Sequence, residues 1–398
     1  VGENIKLTFY SNYLSHHQLF FGNEMHRLLE GGYTFVATEE PDAFRTENGW
    51  ELKESVPYEL NIHREEHGYQ KALALACESD AVLIGSAPEE FIMERLKKQR
   101  SAITFRYSER LYKKGRKHFF SPGTLRRMLT YYRFYNRKLY MLCASAYTSA
   151  DLRLQGTYLG RCYQWGYFPE TRYYEGEQLS AKKSRDIPEL VWCGRFIGWK
   201  HPEAAITLAH RLSREKIPFR LKMIGTGYLE NHLKLMVREY GLEEQVSFPG
   251  SMSPRQVREH METANIFLMT SNFEEGWGAV VNEAMNSGCG IVASHAAGCV
   301  PYLITDNGNG LIYENGNDNS LYRKVTRLLS DRVFCEQLGQ RAYETIISEW
   351  NAETAAKRLL LLIEDLKKQG CSDRFQRGPC SKAYILKNNW YKEKEIQI

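Results

Sequence analysis

Short apolar runs alternate with stretches of helical spacing along this chain, and that alternation limits the folds open to it more than any single motif. Lys6–Tyr10, Tyr33–Ala37, Ala81–Ile84 and Ala102–Phe105 read as strands, with Phe20–Leu29 and Gly68–Cys77 as helices between them and Ser11–Gln18 as a loop. A second series follows. Leu190–Cys193, Phe219–Ile224, Val246–Phe248, Ile266–Met269 and Gly290–Ala293 read as strands, separated by helices at Pro202–Arg214, Leu229–Tyr240 and Pro254–Ala264. Such an alternation packs as a mostly parallel sheet with helices on both faces. Two successive doubly wound α/β units fit the pattern better than one very wide sheet.

The length of 398 residues gives the same division, since one core rarely grows beyond about 250–300 residues. The expected layout is a first Rossmann-like domain over 1–172 and a polar linker over 173–188. A second such domain spans 189–350, and a helix and tail over 351–398 cross back to the first. With 43% hydrophobic and 25% charged residues the chain is globular rather than disordered. Its formal charge of +5 does not by itself point to nucleic acid, and none is expected as a partner. The nine cysteines are scattered without a CxxC pair, as expected for free thiols in a reducing compartment. Neither a leader-like apolar stretch at the first residues nor an apolar run of about 18 residues is present, so the expectation is a cytoplasmic chain that does not span a membrane.

Ligands of doubly wound sheets sit at the carboxyl ends of strands. The strongest signal in those loops is Glu275-Gly276-Trp277-Gly278, followed by a helix carrying Glu283. Glycines let the backbone approach a ligand, and the free N–H groups of a helix start favour a phosphate. Gly194-Arg195 ends an earlier strand, and Lys200 follows five positions after the arginine. Two cations there suit a diphosphate without a metal, although either one alone would read as a solvated surface charge. Gly225-Thr226-Gly227 opens like a dinucleotide fingerprint, but Glu230 stands where the third glycine belongs. That makes a nicotinamide site a weak reading.

In order, strand-Gly194-Arg195-x4-Lys200, strand-Gly225-x-Gly227, Phe248-Pro249-Gly250 and Glu275-x7-Glu283 resemble the C-terminal domain of the retaining GT-B glycosyltransferases of family four, the group 1 transferases. Ala284–Ser294 and Asn307–Ile312 resemble two further runs of that family. The resemblance covers about Leu190 to Asn317 well and the N-terminal half only in outline. It implies two Rossmann-like domains facing across a cleft, and a nucleotide-sugar, with uridine as the base, as donor substrate.

By the same resemblance Arg195 and Lys200 clamp the diphosphate and Glu275 faces the transferred sugar. Glu283 takes the ribose hydroxyls, and the backbone of Trp277, Gly278, Ala279 and Val280 holds sugar and phosphate. Gly225, Phe248 and Ser251 border the nucleotide. With no Asp-x-Asp pair in the chain, the expectation is catalysis without a metal or other cofactor. Whether Glu275 attacks or only stabilises charge stays open.

The first half departs from the family pattern. Ser11–Gln18 stands where a Gly-Gly loop is common, and Arg106-Tyr107-Ser108-Glu109 where a histidine is common. His16 and Glu109 are the residues there that could touch acceptor or sugar, a capping or surface role being the other reading. From Arg106 to Tyr140, cations interleave with Tyr, Phe and Leu, as on surfaces that meet anionic lipid headgroups, or on an ordinary amphipathic helix. The expected partners are a nucleotide-sugar, a glycan or lipid-linked acceptor and an anionic membrane surface, with a peripheral place on its inner face. The competing readings are a phosphorylase or epimerase of the same fold, and a non-catalytic nucleotide-sugar binder.

Overall fold

The structure is a computed structural model that describes residues 5–40, 55–115, 119–176 and 178–392. The chain divides into two compact units, Val1–Glu170 with Asn351–Lys387, and Thr171–Trp350 with Asn388–Ile398.

The first unit holds a seven-stranded, all-parallel sheet: β1 (Leu7–Ser11), β2 (Tyr33–Ala37), β3 (Glu59–Asn61), β4 (Ala81–Ile84), β5 (Ile103–Ser108), β6 (Leu139–Cys143) and β7 (Cys162–Gln164). Its order is β3-β2-β1-β4-β5-β6-β7. Leu7 pairs with both Tyr33 and Ala81, so the chain direction across the sheet reverses beside β1. Every residue of β1, β4 and β6 is buried, as strands covered on both faces require.

The second unit repeats the plan with β8 (Glu189–Cys193), β9 (Arg220–Ile224), β10 (Val246–Gly250), β11 (Ile266–Met269), β12 (Gly290–Ser294) and β13 (Leu311–Tyr313). The order β10-β9-β8-β11-β12-β13 puts its reversal between β8 and β11. Ligands of open α/β sheets bind outside the strand ends at that reversal. Proline is tolerated in β10 because it is an edge strand, and its register with β9 shifts between Ser247 and Gly250.

Three differences from the sequence reading have simple causes. The loop expected over 11–18 is already helical at His16, in the helix His16–Leu29. β3 and β7 have only three residues each, too few to show a period, and β6 sits at the end of the basic stretch that masked it. The segment 173–188 contains a helix, Gln178–Lys183, with Leu179 and Lys183 buried. The Lys183 ammonium donates to Met261 O at 2.9 Å and Ala264 O at 2.5 Å, where the helix Pro254–Thr263 leaves carbonyls unpaired.

Candidate active site

At the reversal of the second sheet, the chain leaving β8 and the chain leaving β11 run beside each other. The Asn272 N–H donates to Trp199 O at 3.0 Å, and Thr270 Oγ1 donates to Lys200 O at 2.7 Å while accepting from the Trp192 indole at 2.7 Å. These bonds fix the turn Gly198–Lys200 against the loop that carries Glu275. The Lys200 ammonium and the Glu275 carboxylate form an ion pair, with side chains only 13% and 9% exposed. Ser271 Oγ donates to the same carboxylate oxygen at 2.9 Å. The sequence reading gave Lys200 and Glu275 separate roles; the fold makes them partners.

Arg195 is exposed, and its guanidinium lies 5.9 Å from the centre of the Trp199 ring, over which the Lys200 ammonium also sits at 4.6 Å. One indole therefore carries both cations. The helix Ala279–Asn286 starts in the same neighbourhood. Gly278 caps it at φ +96°, and a Cβ there would meet Met269 at 2.7 Å and lie 3.5 Å from Glu275 Cγ. Ala279 and Val280 are half-buried at this helix start. Trp277 is fully buried: its indole donates to Asn282 at 2.9 Å, and its ring packs on Trp350 and Tyr302. Only its backbone is left for a ligand.

Two thiols report the local charge. Burial, then the Glu283 carboxylate, pushes Cys193 at the end of β8 up to about 12, and Lys200 opposes the shift. Burial, then Glu275, also raises Cys299, again against Lys200. Lys200 thus lies within electrostatic reach of both glutamates' neighbourhoods, and Glu283, 8% exposed, lies near the end of β8.

The glycines of the incomplete fingerprint have a packing role. Gly225 (φ +135°) would place a Cβ 2.0 Å from Gly194 O, and Gly227 (φ +157°) would place one 2.5 Å from Phe196 O. Backbone bonds from Gly194 to Ile224, Phe196 to Thr226 and Gly225 to Gly250 then tie the three loops together. Phe248 packs edge-on against Phe196 at 6.0 Å, and Ser251 is exposed just past β10. Trp199, Thr270, Ser271 and Cys299 escaped the sequence reading. The signal for two of them was the polar pair Thr270-Ser271 closing an otherwise apolar strand.

In the first unit, His16 opens its helix half-buried, with its ring 3.8 Å from that of His17. Glu109 accepts from the Tyr167 hydroxyl at 3.0 Å and pairs with Lys113. Much of the basic aromatic stretch is internal: Arg106, Tyr112, Tyr131, Phe134, Leu139 and Tyr140 are buried, and 116–118 lie outside the described residues. Outward-facing residues on the helix Pro122–Arg133 include Leu125, Leu129 and Tyr132, beside Arg126, Arg127 and Arg133.

Residues 178–345 match the family described as glycosyl transferases, group 1. A colanic acid biosynthesis glycosyltransferase, WcaL, of Salmonella typhimurium is 23% identical over 184 residues, 45% of each chain. A GDP-mannose-dependent alpha-(1-6)-phosphatidylinositol monomannoside mannosyltransferase of Mycobacterium tuberculosis is 25% identical over 179 residues, 43% of this chain and 46% of that one. The match thus spans about half the length of these curated relatives. Among solved structures, Anabaena HepE in complex with UDP and glucose superposes with a TM-score of 0.65 at 14% identity, covering 91% of this chain and all of that one. Sucrose-phosphate synthase of Thermosynechococcus elongatus gives 0.64 at 17%, covering 90% and 98%. The chain shares their α/β fold of two parallel sheets, the GT-B architecture.

Proposed function

We propose, from the match of residues 178–345 to the group 1 glycosyl transferases, that this chain moves a sugar from a nucleotide-sugar to a glycan or lipid-linked acceptor in the synthesis of a cell-surface polysaccharide or glycolipid. The observation that carries this reading is the meeting, at the sheet reversal, of the Lys200–Glu275 pair, Arg195 on the shared indole and the helix start at Gly278. As the bond from sugar to nucleotide breaks, negative charge grows on the leaving diphosphate. Arg195, Lys200 and the amides of Gly278 to Val280 are the groups that stabilise it. Fixed donors of this kind need no reorganisation during the reaction.

Glu275 is held by Lys200 and Ser271, so its part is to position the lysine and offset the positive charge that develops on the sugar. Glu283 receives the ribose hydroxyls. Uridine diphosphate is the expected carrier, by analogy with the UDP complex of HepE. Transfer proceeds with retention and without a metal ion.

The test is a thermal-shift panel of nucleotide-sugars on the purified chain, followed by assay of released nucleotide diphosphate. Stabilisation by one donor class, with turnover that survives EDTA, is expected. Absence of stabilisation by every nucleotide-sugar sinks the reading, and activity lost to EDTA and restored by manganese sinks its metal independence.

Membrane docking belongs to the same proposal. Leu125, Leu129 and Tyr132 repeat at the spacing of one helix face, flanked by Arg126 and Arg133, which suits an anionic interface. Leu129→Asp is expected to reduce co-sedimentation with vesicles containing phosphatidylglycerol at low salt. Equal binding of wild type to neutral and anionic vesicles removes this part.

A further inference from the structure

A second charged pocket lies in the first unit, on the side where strands end. Ile84 and Gly85 close β4 there, Arg106, Tyr107 and Ser108 close β5, and the opposite wall comes from Arg127 and the turn around Gln155–Tyr158. Its cavity volume is about 40 Å³, room for one small charged group such as a phosphate or carboxylate, with the remainder of a ligand left in solvent.

Two guanidiniums line this pocket, and their circumstances differ. Arg106 is 8% exposed and is paired with Glu89, whose carboxylate also accepts from Thr130 Oγ1 at 3.0 Å. Arg127 has no hydrogen bond or ion pair among the described residues. The residue is exposed along its helix, yet it lines the pocket, three, four and seven positions before the buried Thr130, Tyr131 and Phe134. Partial covering of its guanidinium, and then the charge of Arg106, lower its pKa, while Glu89 and Tyr158 pull the other way. Two positive groups against one carboxylate leave the pocket with unbalanced positive charge. A guanidinium in such surroundings is best satisfied by a two-pronged oxyanion.

We propose that this pocket binds an oxyanion, a phosphate or carboxylate, carried by the acceptor sugar, with Arg127 as its principal partner and Arg106 as the second. Calling the ligand an acceptor rests on the transferase reading; the charge of the pocket does not. The acceptor is then an acidic or phosphorylated glycan rather than a neutral one.

Isothermal titration of the full chain, with UDP saturating the donor half, tests this using glucose 6-phosphate, glucuronate and glucose. At least one charged sugar binds wild type, and glucose binds more than tenfold more weakly. Whichever charged sugar binds tighter identifies the group as phosphate or carboxylate. Arg127→Gln raises that dissociation constant about tenfold or more, the loss expected of a charge-assisted bond. Arg127→Lys restores part of it, and Arg100→Gln, at an exposed position away from the pocket, leaves it unchanged. Equal affinity in wild type and Arg127→Gln, or no binding of either charged sugar, overturns the proposal. Those results with intact UDP binding leave the donor reading standing, whereas a chain that binds no nucleotide fails the donor reading on its own terms.

Discussion

Lys200 is held on several sides: its ammonium by Glu275 and the Trp199 ring, its carbonyl by Thr270. Removing either the cation or its carboxylate therefore has separable effects. Arg195→Ala and Lys200→Ala are each expected to cut turnover by about two orders of magnitude, as loss of a charge-stabilising donor typically does. Steady-state assay of nucleotide release checks this, and wild-type rates in both would end the clamp hypothesis. Gly225→Ala makes a different demand, because its Cβ would lie 2.0 Å from Gly194 O at a φ of +135°. A loss of about 2 kcal/mol or more in unfolding free energy is expected, together with weaker nucleotide binding. Gly31→Ala, at φ +93° with nothing within 4 Å, isolates the backbone part and should cost about 1 kcal/mol. Similar denaturation midpoints for the two variants would show that the close approach is unimportant.

Among the elements, the segment leading into the second unit shows how far a polar composition can mislead. Arg172 Nη1, the Tyr174 hydroxyl and Lys182 Nζ all donate to Glu262, at 2.8, 2.6 and 2.6 Å. Burial alone would raise the Glu262 pKa, yet bonds from Lys182, Tyr174 and Arg172 prevail and hold it at about 2. A carboxylate whose pKa is depressed on folding adds stability above its unfolded value of 4.5, and that stability is lost as pH falls toward 2. The midpoint of denaturant unfolding should therefore drop between about pH 5 and pH 2 in wild type. In Glu262→Gln it should be lower at pH 7 and flatter across that window; parallel pH profiles would remove Glu262 as the cause. Lys183, one residue on, was no more legible. Its neighbours in sequence are polar, and only the carbonyls of a helix 78 residues away explain its burial.

For the whole molecule, the division into units does not follow chain order. The helix Ala352–Gln369 belongs with the first unit, where it packs against the helix His16–Leu29, and Asn388–Lys392 return to the second. His295 Nδ1 accepts from the Asn315 N–H at 3.0 Å, which leaves its Nε2 to donate to Asn388 O at 3.1 Å, and Lys392 pairs with Glu314 at 3.0 Å. Leu359, fully buried in the returning helix, should cost about 2–5 kcal/mol as Leu359→Ala. That loss should fall on the first unit, seen as an earlier calorimetric transition while UDP stabilisation of the second persists. A loss of UDP stabilisation at the same temperature would show one cooperative unit instead.

By itself the sequence determined what local spacing can determine. Strand and helix periods, buried apolar runs such as Ala81–Ile84, and the order of glycines, cations and carboxylates along the second half were all legible, because period and turn chemistry act over a few residues. Tertiary structure alone decided which distant groups meet. Lys200 finds Glu275 across 75 positions, Arg106 and Arg127 come to line one cavity, and Gly225 touches Gly194. Those meetings depend on which strands become neighbours in a sheet, and strand order is set by packing of the whole unit rather than by any local run of residues.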